Sequence, residues 1–241
     1  MDILVKTDSD TLSKRNEHIF FLGMTLLLLA TFFIGFASSY YLAGMTNAPL
    51  PSKNIHIHAI VFSIWMLLLA AQVSLTFINK VNIHRQLGII SFCYIFLMFP
   101  TGLMASVDTL KRTIAPGIDE LLFMINITML LAFTSFMAAA YKMKQNPTAH
   151  KRLILFANIS LVFAGLIRWP LDLLFHNIPF AARASYLFLL PLVLYDLWSM
   201  GKVHRVTLWS SILLIFVFEL RFMIAKTSIW LDFVTWIKLH F

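Results

Sequence analysis

Residues 54–102 read NIHIHAIVFSIWMLLLAAQVSLTFINKVNIHRQLGIISFCYIFLMFPTG. Two apolar runs, each long enough to cross a bilayer, are separated by the polar turn NKVN. The histidines His56 and His58 open the first run, and His84 and Arg85 open the second. This stretch predicts a helical hairpin in a membrane, and the rest of the chain follows with further hairpins of the same kind.

The composition is that of a membrane protein. Of the 241 residues, 60% are hydrophobic and only 12% are charged, and the mean hydropathy is +0.83. A soluble domain has about a quarter of its residues charged, so most side chains here must face lipid or other membrane-buried protein. The net charge of +8 then reflects basic cytoplasmic loops, and no nucleic-acid partner is expected. The single cysteine, Cys93, excludes an intramolecular disulfide and a cysteine-based metal site.

Seven apolar segments approach the ~20 residues that a helix needs to span the hydrocarbon core. The first covers about residues 19–43, which is too long for the apolar region of a cleaved signal peptide, roughly 7–15 residues. The other six are centred on residues 57–78, 85–106, 120–141, 151–170, 184–200 and 206–225. The predicted fold is therefore all-α, a polytopic membrane bundle of seven transmembrane helices that forms one domain over residues 18–225. We number these helices span 1 to span 7.

The loops predict an orientation. The short turns after spans 2, 4 and 6 are basic and contain no Asp or Glu, whereas the segments on the other side carry carboxylates. An excess of Lys and Arg marks the cytoplasmic side, so residues 1–17 are predicted to form a cytoplasmic tail, with the N-terminus inside. In residues 226–241, apolar side chains including Phe233 and Trp236 recur at helical spacing. That segment is predicted to be an amphipathic helix in the outer membrane interface.

A histidine followed by a basic residue begins spans 3, 5 and 7. These histidines are His84, His150 and His204. Seven residues further on, close to two helical turns and so on the same face, stands a small residue in each case. These small residues are Ser91, Ala157 and Ser211. The pattern predicts three related hairpins whose helices pack closely.

Polar side chains inside the apolar spans are the best candidates for a functional site, because charge that faces lipid is costly. On span 2, His58, Trp65 and Gln72 are spaced by seven residues and form one stripe that should face the bundle. The other polar candidates lie on spans 4 to 7 or at their ends. They are Asn126, Arg168, Asp172, Asp196 and Glu219.

The histidines are predicted to lie in two layers, either of which suits a b-type haem or a transition metal, because imidazole binds Zn, Cu and Fe. The preferred site is the outer set of His56, His58 and His176, and the second choice is the inner set of His84, His150 and His204. If span 2 is already helical at His56, the two outer histidines face about 200° apart. For the inner set the alternative interpretation is anchoring of helix starts near the lipid headgroups, and for His56 and His58 it is a pair at the outer water interface.

Arg168 and Glu219 are predicted to form a buried ion pair that fixes the order of the helices. In the alternative interpretation, Arg168 binds the charge of an anionic ligand, or both residues surround the outer histidine site. Asp172 is a further candidate ligand in that outer layer, and Asp196 belongs to the inner layer.

The sequence excludes several classes of protein and leaves three open. It has no Walker-type loop, no dinucleotide fingerprint and no His-Glu-x-x-His motif, and span 7 has no central lysine for a retinal Schiff base. The leading hypothesis is a haem- or metal-binding redox protein of the bacterial inner membrane. The alternatives are a transporter or sensor for a small amphipathic or anionic molecule, and a non-catalytic subunit of a membrane complex. The expected contacts are the lipid bilayer and a partner membrane protein or a second copy of the chain.

Several motifs together resemble a known family. They are HIHAIVFSIWMLLL at residues 56–69, Gln72, HRQLG at 84–88, HKRL at 150–153, RWP at 168–170 and HR at 204–205. Over residues 18–225 the chain resembles a group of uncharacterised bacterial seven-helix inner-membrane proteins, which implies a bacterial inner membrane and a cytoplasmic N-terminus. The HRQLG start of span 3 is also similar to segments of cytochrome b561-like membrane proteins, a family that binds haem.

Overall fold

The computed structural model describes the backbone of residues 2–46, 49, 51–111 and 117–241, and the side chains of these residues except 2–13 and 175. All regular elements in this part of the chain are helices. Seven of them are long and apolar enough to cross a membrane, as predicted. From span 1 to span 7 they are Lys14–Tyr41, Lys53–Phe77, Val81–Lys111, Ile118–Lys142, Pro147–Leu166, Ile178–Met200 and Arg205–Ile224.

Three of the spans are not single continuous α-helices. Span 1 is the end of an α-helix, Asp2–Phe36, followed by a π-helical turn, Ala37–Tyr41. Span 5 consists of the α-helices Pro147–Ser160 and Val162–Leu166. Span 6 begins with the α-helix Ile178–Ala184, passes through a 3₁₀ segment, Ser185–Leu189, and continues as the α-helix Leu190–Met200. Three further helices lie outside the spans: Ala43–Thr46, Asp172–Phe175 and Ser228–His240.

The observed ends differ from the predicted ones for local reasons. The first helix begins at Asp2, so residues 2–17 are helical rather than an irregular tail. Span 5 ends at Leu166 rather than near residue 170, because Pro170 disfavours helical geometry in the residue before it. Span 6 begins six residues earlier than predicted, since the side chain of Asn177 caps it by accepting from the N–H of Phe180.

Consecutive spans pack side by side, and span 5 lies at the centre of the bundle. Its most apolar window is 78% buried, against 17–44% for the other spans. It contacts span 1, span 4 and span 7. The turns 78–80, 143–146 and 201–204 lie at one end of this up-and-down bundle, which we call the basic end. The other end, with residues 167–177 and 225–227, we call the distal end.

Glycines bring spans 1 and 5 into close contact near the distal end. A Cβ placed on Gly35 would lie 2.1 Å from the carbonyl oxygen of Gly165, and one on Gly165 would lie 3.1 Å from the carbonyl oxygen of Thr31. Next to this contact, the indole N–H of Trp169 donates to the same Thr31 oxygen at 3.1 Å. Small residues let helix backbones approach where no hydrophobic force drives helices together.

The C-terminal helix, Ser228–His240, packs on the distal end, in agreement with the amphipathic helix predicted for residues 226–241. Its buried Val234 lies against Leu110 and Phe123 of spans 3 and 4. The indole of Trp230 donates to the carbonyl oxygen of Glu120 at 3.1 Å, and Lys238 pairs with the Glu120 carboxylate at 2.9 Å. The helix is therefore attached to the bundle by both apolar and polar contacts.

Replacing Gly35 by alanine is expected to destabilise the bundle. The added methyl group would meet backbone that cannot rotate away, so spans 1 and 5 would have to separate, and overpacking of this kind costs about 1–3 kcal/mol. Gly23→Ala on the same helix is the matched control, because a Cβ there meets nothing within 4 Å. Thermal unfolding of both variants in one detergent measures the difference. An unchanged Tm for Gly35→Ala would contradict the contact.

Candidate functional site

A buried ion pair joins spans 5 and 6 near the basic end. The side chains of Arg152 and Asp196 are 1% and 0% exposed. Arg152 donates from Nε to Asp196 Oδ1 at 3.1 Å and from Nη2 to the same oxygen, while its Nη1 donates to the carbonyl of Thr148 at 2.9 Å. Asp196 Oδ2 accepts from the backbone N–H of His204 at 3.0 Å. Both carboxylate oxygens are thus satisfied, and spans 5, 6 and 7 are held at one point.

His204 acts as the N-cap of span 7. Its Nδ1 accepts from the backbone N–H of Val206 at 3.2 Å, which requires a neutral ring with the proton on Nε2. Burial lowers the pKa of His204, the nearby guanidinium of Arg152 lowers it further, and the Asp196 carboxylate opposes them. Since the Nδ1 lone pair serves the cap, the helix-end interpretation fits His204 better than ligation.

His84 and His150 lie in the first turns of spans 3 and 5, at the basic end. Nδ1 of His150 is 2.8 Å from the carbonyl oxygen of Ala140. Because a carbonyl only accepts, this nitrogen carries the proton, and Nε2 of the neutral ring keeps a free lone pair. Nδ1 of His84 is buried and has no hydrogen-bond partner in the described part of the chain. Two imidazoles with available nitrogens therefore lie at the basic end.

Gln72 of span 2 completes the surroundings of this histidine pair. Its Nε2 donates to Ser91 Oγ at 3.2 Å, its backbone interacts with the ring of His84, and its Oε1 is buried without a partner among the described residues. The sequence placed Gln72 and His84 in one inner layer, and the structure brings them into contact. The amide oxygen and His84 Nδ1 are thus two unsatisfied polar atoms in one buried region.

A single hydrogen bond crosses the middle of the bundle between spans 2 and 5. Trp65 Nε1 donates to Asn158 Oδ1 at 2.9 Å, and the two residues are 2% and 1% exposed. Asn158 Nδ2 donates in turn to the carbonyl of Ile154 at 2.8 Å. The stripe predicted on span 2 therefore does face the bundle at Trp65. Here the role of the stripe is structural, because both polar groups satisfy each other.

The preferred outer site of His56, His58 and His176 is not assembled. Span 2 is helical from Lys53. His56 and His58 therefore lie about 200° apart around the helix axis and point to different neighbours. His56 Nδ1 lies 3.3 Å from the hydroxyl of Tyr40, whereas His176 is exposed beyond span 5. Among the described residues, no group of three or more His, Cys, Asp or Glu side chains is arranged to hold a metal ion.

His58 faces the interior of the bundle. Its ring centroid lies 6.2 Å from that of Phe62, and its Cε1 would be 3.5 Å from a Cβ placed on Gly102 of span 3. Its Nδ1 is buried and has no partner within the described part of the chain. The charge of Arg168 acts on this ring, so His58 and Arg168 form the polar part of the distal end near span 2.

The predicted ion pair between Arg168 and Glu219 is wrong. Glu219 is bound by Arg183, from Nε to Oε1 at 3.0 Å and from Nη2 to Oε2 at 2.7 Å, and it also accepts from the Tyr186 hydroxyl at 3.0 Å. Arg168 is exposed and lies 4.7 Å from the centroid of the Phe36 ring. The cause is that the chain reverses after Trp169, which takes Arg168 out of span 5 and away from span 7.

Two other predicted candidates lie apart from the histidine pair. Asp172 is exposed at the start of the short helix Asp172–Phe175, and Asn126 is half-buried on span 4. Neither is brought to the basic end, where His84 and His150 lie.

Two buried arginines were not recognised as candidates from the sequence. Arg152 follows a lysine at a helix start and was indistinguishable from an interfacial anchor. Arg221 is 0% exposed, although its place at the end of an apolar segment is equally typical of an interfacial anchor. A helical-face argument would have found Arg152, since it falls on the side of span 5 shared with Leu155 and Ile159, both buried.

The chain matches no protein-family model, no curated protein and no solved structure.

Asp196→Asn is expected to cost about 3–5 kcal/mol of stability, because it leaves the buried charge of Arg152 without its counter-ion. The matched control is Lys151→Gln, which breaks a pair with Glu17 whose side chains are 25% and 24% exposed. That change should cost at most about 1 kcal/mol. Chemical unfolding in detergent compares the two. Equal losses in the two variants would contradict a special role for the buried pair.

Acidification is expected to weaken the start of span 7 through His204. Because the folded pKa of His204 lies below its usual value, the neutral ring contributes stability that is present above about pH 6.5 and is lost as the pH falls below it. His204→Asn is the control, since asparagine caps a helix without titrating in this range. The Tm should therefore fall less in the variant than in the wild type between pH 7 and pH 5. Parallel curves would show that His204 does not titrate in this way.

Proposed function

We propose that this protein is a multi-pass redox protein of the bacterial inner membrane that binds a b-type haem through His84 and His150. The observation that carries the proposal is the state of two imidazoles at the basic end, one with its Nδ1 proton held by the carbonyl of Ala140 and the other with a buried, unbonded Nδ1. Fixing the proton of one ring nitrogen by a carbonyl is the usual way in which a protein presents the other nitrogen to a metal.

A pair of histidines favours haem over a bare metal ion. Zinc and copper sites need at least three protein ligands, and no such group exists among the described residues. A haem already supplies four nitrogen ligands and needs only one or two axial side chains from the protein. Two histidines on different helices therefore suit haem best, and a lone transition metal is the less favoured cofactor.

The surroundings of the pair fit the other needs of a haem. Arg85 is exposed directly after His84, so a cation is available for a propionate, whereas Lys151 after His150 is paired with Glu17. Gln72 Oε1 offers a further hydrogen-bond acceptor beside the rings. When bound, a haem supplies one-electron chemistry, and the protein's part is to hold the iron, fix the ring tautomers and limit access of water.

The location and orientation belong to the same proposal. The turns of the basic end contain Lys80, Lys144 and Lys202 and no carboxylate, which favours a cytoplasmic basic end and a cytoplasmic N-terminus. The resemblance to bacterial seven-helix inner-membrane proteins predicts the same membrane and the same orientation. With this orientation the haem lies near the cytoplasmic face.

A second candidate, a transporter or sensor for a small anionic molecule, is favoured by one observation at the distal end. Arg168 is exposed and forms no ion pair with a carboxylate among the described residues, and the unbonded Nδ1 of His58 lies near it. A cation of this kind can meet the charge of a ligand that enters from the distal side. This second candidate function is favoured over redox chemistry if the purified protein contains no haem.

The wild-type protein, expressed with a haem precursor and purified in detergent, is expected to show a Soret band and a reduced-minus-oxidised α-band. His84→Ala and His150→Ala should each remove the spectrum of the six-coordinate low-spin haem, because each deletes one axial ligand. His176→Ala is the matched control and should keep it, since His176 is exposed at the distal end.

Each alternative predicts a different spectrum. A spectrum lost in His58→Ala but kept in both inner variants would place the haem at the distal end and refute the site proposed here. A colourless wild-type protein that also fails to bind added haemin would refute haem binding altogether.

A further inference from the structure

An ion pair between spans 6 and 7 remains exposed within the length of the spans. Arg183 and Glu219 are joined by two hydrogen bonds, of 3.0 and 2.7 Å, yet their side chains are 55% and 38% exposed. Each lies five residues from the distal end of its span, at Ile178 or Ile224, which is about 7–8 Å along the helix axis. In the described spans, the other exposed charges lie within four residues of a span end.

The pair lies on a face that is otherwise apolar. Phe216 and Met223, one helical turn before and after Glu219, are both exposed, and so is Leu187, four residues after Arg183. Arg183 also lines a small cavity at the distal end, but Glu219 does not. The exposed part of the carboxylate therefore belongs to the side of the bundle. Charges within a membrane almost always face protein or water, because a charge that faces lipid is costly.

A second copy of the chain has the charges that would cover this pair. Two copies in one membrane have the same orientation, so a two-fold axis that relates them runs along the membrane normal. When two copies face each other across this axis, left and right are exchanged, and span 6 of one copy lies opposite span 7 of the other. Because Arg183 and Glu219 lie at the same depth, each arginine then meets the glutamate of the other copy. The patch is thus complementary to itself.

The apolar side chains towards the basic end match in the same way. Leu190 of span 6 and Ile212 of span 7 both lie twelve residues from the distal ends of their spans, and both are exposed. Leu194 and Trp209, also exposed, lie sixteen and fifteen residues from those ends. Across the two-fold axis these side chains would meet layer by layer. Van der Waals packing of this kind drives helix association in lipid, and polar contacts between helices strengthen it.

We propose that two copies of this chain form a two-fold dimer through spans 6 and 7, with Arg183 and Glu219 of both copies in a ring of four charges of alternating sign. Each carboxylate then lies between two guanidinium groups, and the ring is shielded from lipid. The Tyr186 hydroxyl donates to Glu219 at 3.0 Å and so helps to hold the carboxylate in place. The dimer does not depend on haem binding, because His84 and His150 lie at the basic end.

The test begins with the mass of the purified protein, measured by light scattering in a mild detergent. The wild type should have the mass of two 27.7-kDa chains. Glu219→Arg makes the whole ring positive and should raise the dissociation constant of the dimer by about tenfold or more. Lys238→Gln is the matched control, because it breaks the distal-end pair with Glu120 outside the interface, and it should change nothing. A monomeric wild type would overturn the proposal.

A mixed pair of variants separates contacts between copies from contacts within one copy. Arg183→Glu gives one copy two negative charges, and Glu219→Arg gives the other copy two positive charges. Co-expressed with different affinity tags, these two copies should purify together, whereas neither should pair with its own kind. Only a contact between copies restores the attraction in this mixture. If the mixed pair forms no better than the like pairs, the ion pair acts within one chain and the proposal is wrong.

A third comparison leaves the ion pair intact and decides the matter if the charge variants do not fold. Phe216→Ala removes an exposed ring from the proposed interface and should raise the dissociation constant by roughly tenfold. Phe96→Ala is the matched control, since Phe96 of span 3 is 73% exposed against 63% for Phe216. It should leave the dimer unchanged. Equal effects of the two truncations would refute an interface on spans 6 and 7.

Discussion

The buried ion pair of Arg152 and Asp196 is the constraint on which the arrangement of the bundle depends. Neither side chain can reach water, so each must find the other or leave a charge unpaired at a cost of several kcal/mol. The observed packing of spans 5 and 6 satisfies this requirement. The same carboxylate also accepts from the backbone of His204, which sets the start of span 7. Span 5 lies at the centre, where its Arg152 and Asn158 are both buried and both have partners on other spans.

The polar groups of the spans lie mainly at the two ends, and this distribution bears on the kind of function that the bundle suits. The middle is crossed by the bond between Trp65 and Asn158, which uses up both polar groups. A proton or ion pathway would need a continuous series of polar groups through this region. An electron carrier needs only a cofactor near one face, which is the role proposed above for His84 and His150. At the distal end Arg168 is exposed, whereas Arg221 is fully buried.

Features that depend on residues close together in the sequence could be predicted, and contacts between residues far apart in the sequence could not. The seven spans were recognisable because hydropathy is a local property, and the C-terminal helix was recognisable from its spacing of apolar residues. The preferred outer histidine site failed because it needed His56 outside the helix, while Ser52 caps span 2 at an earlier position. The predicted pair of Arg168 and Glu219 was wrong because it depends on two features of the tertiary structure. The chain turns after Trp169, and Arg183 binds Glu219 instead. The neighbourhood of Gln72 and His84 was predicted, since both lie close to the same turn.

The amino-acid sequence by itself determined that this chain forms seven apolar helices with basic turns at one end, since length, hydropathy and turn composition act within each segment. Only the tertiary structure decided which polar side chains meet. They are Arg152 with Asp196, Glu219 with Arg183, Trp65 with Asn158, and Arg221 among three phenylalanine rings. The physical reason is that a buried charge or imidazole cannot form hydrogen bonds to water. Its partner is therefore fixed by the rotation and depth of whole helices, and these quantities are properties of the packed bundle.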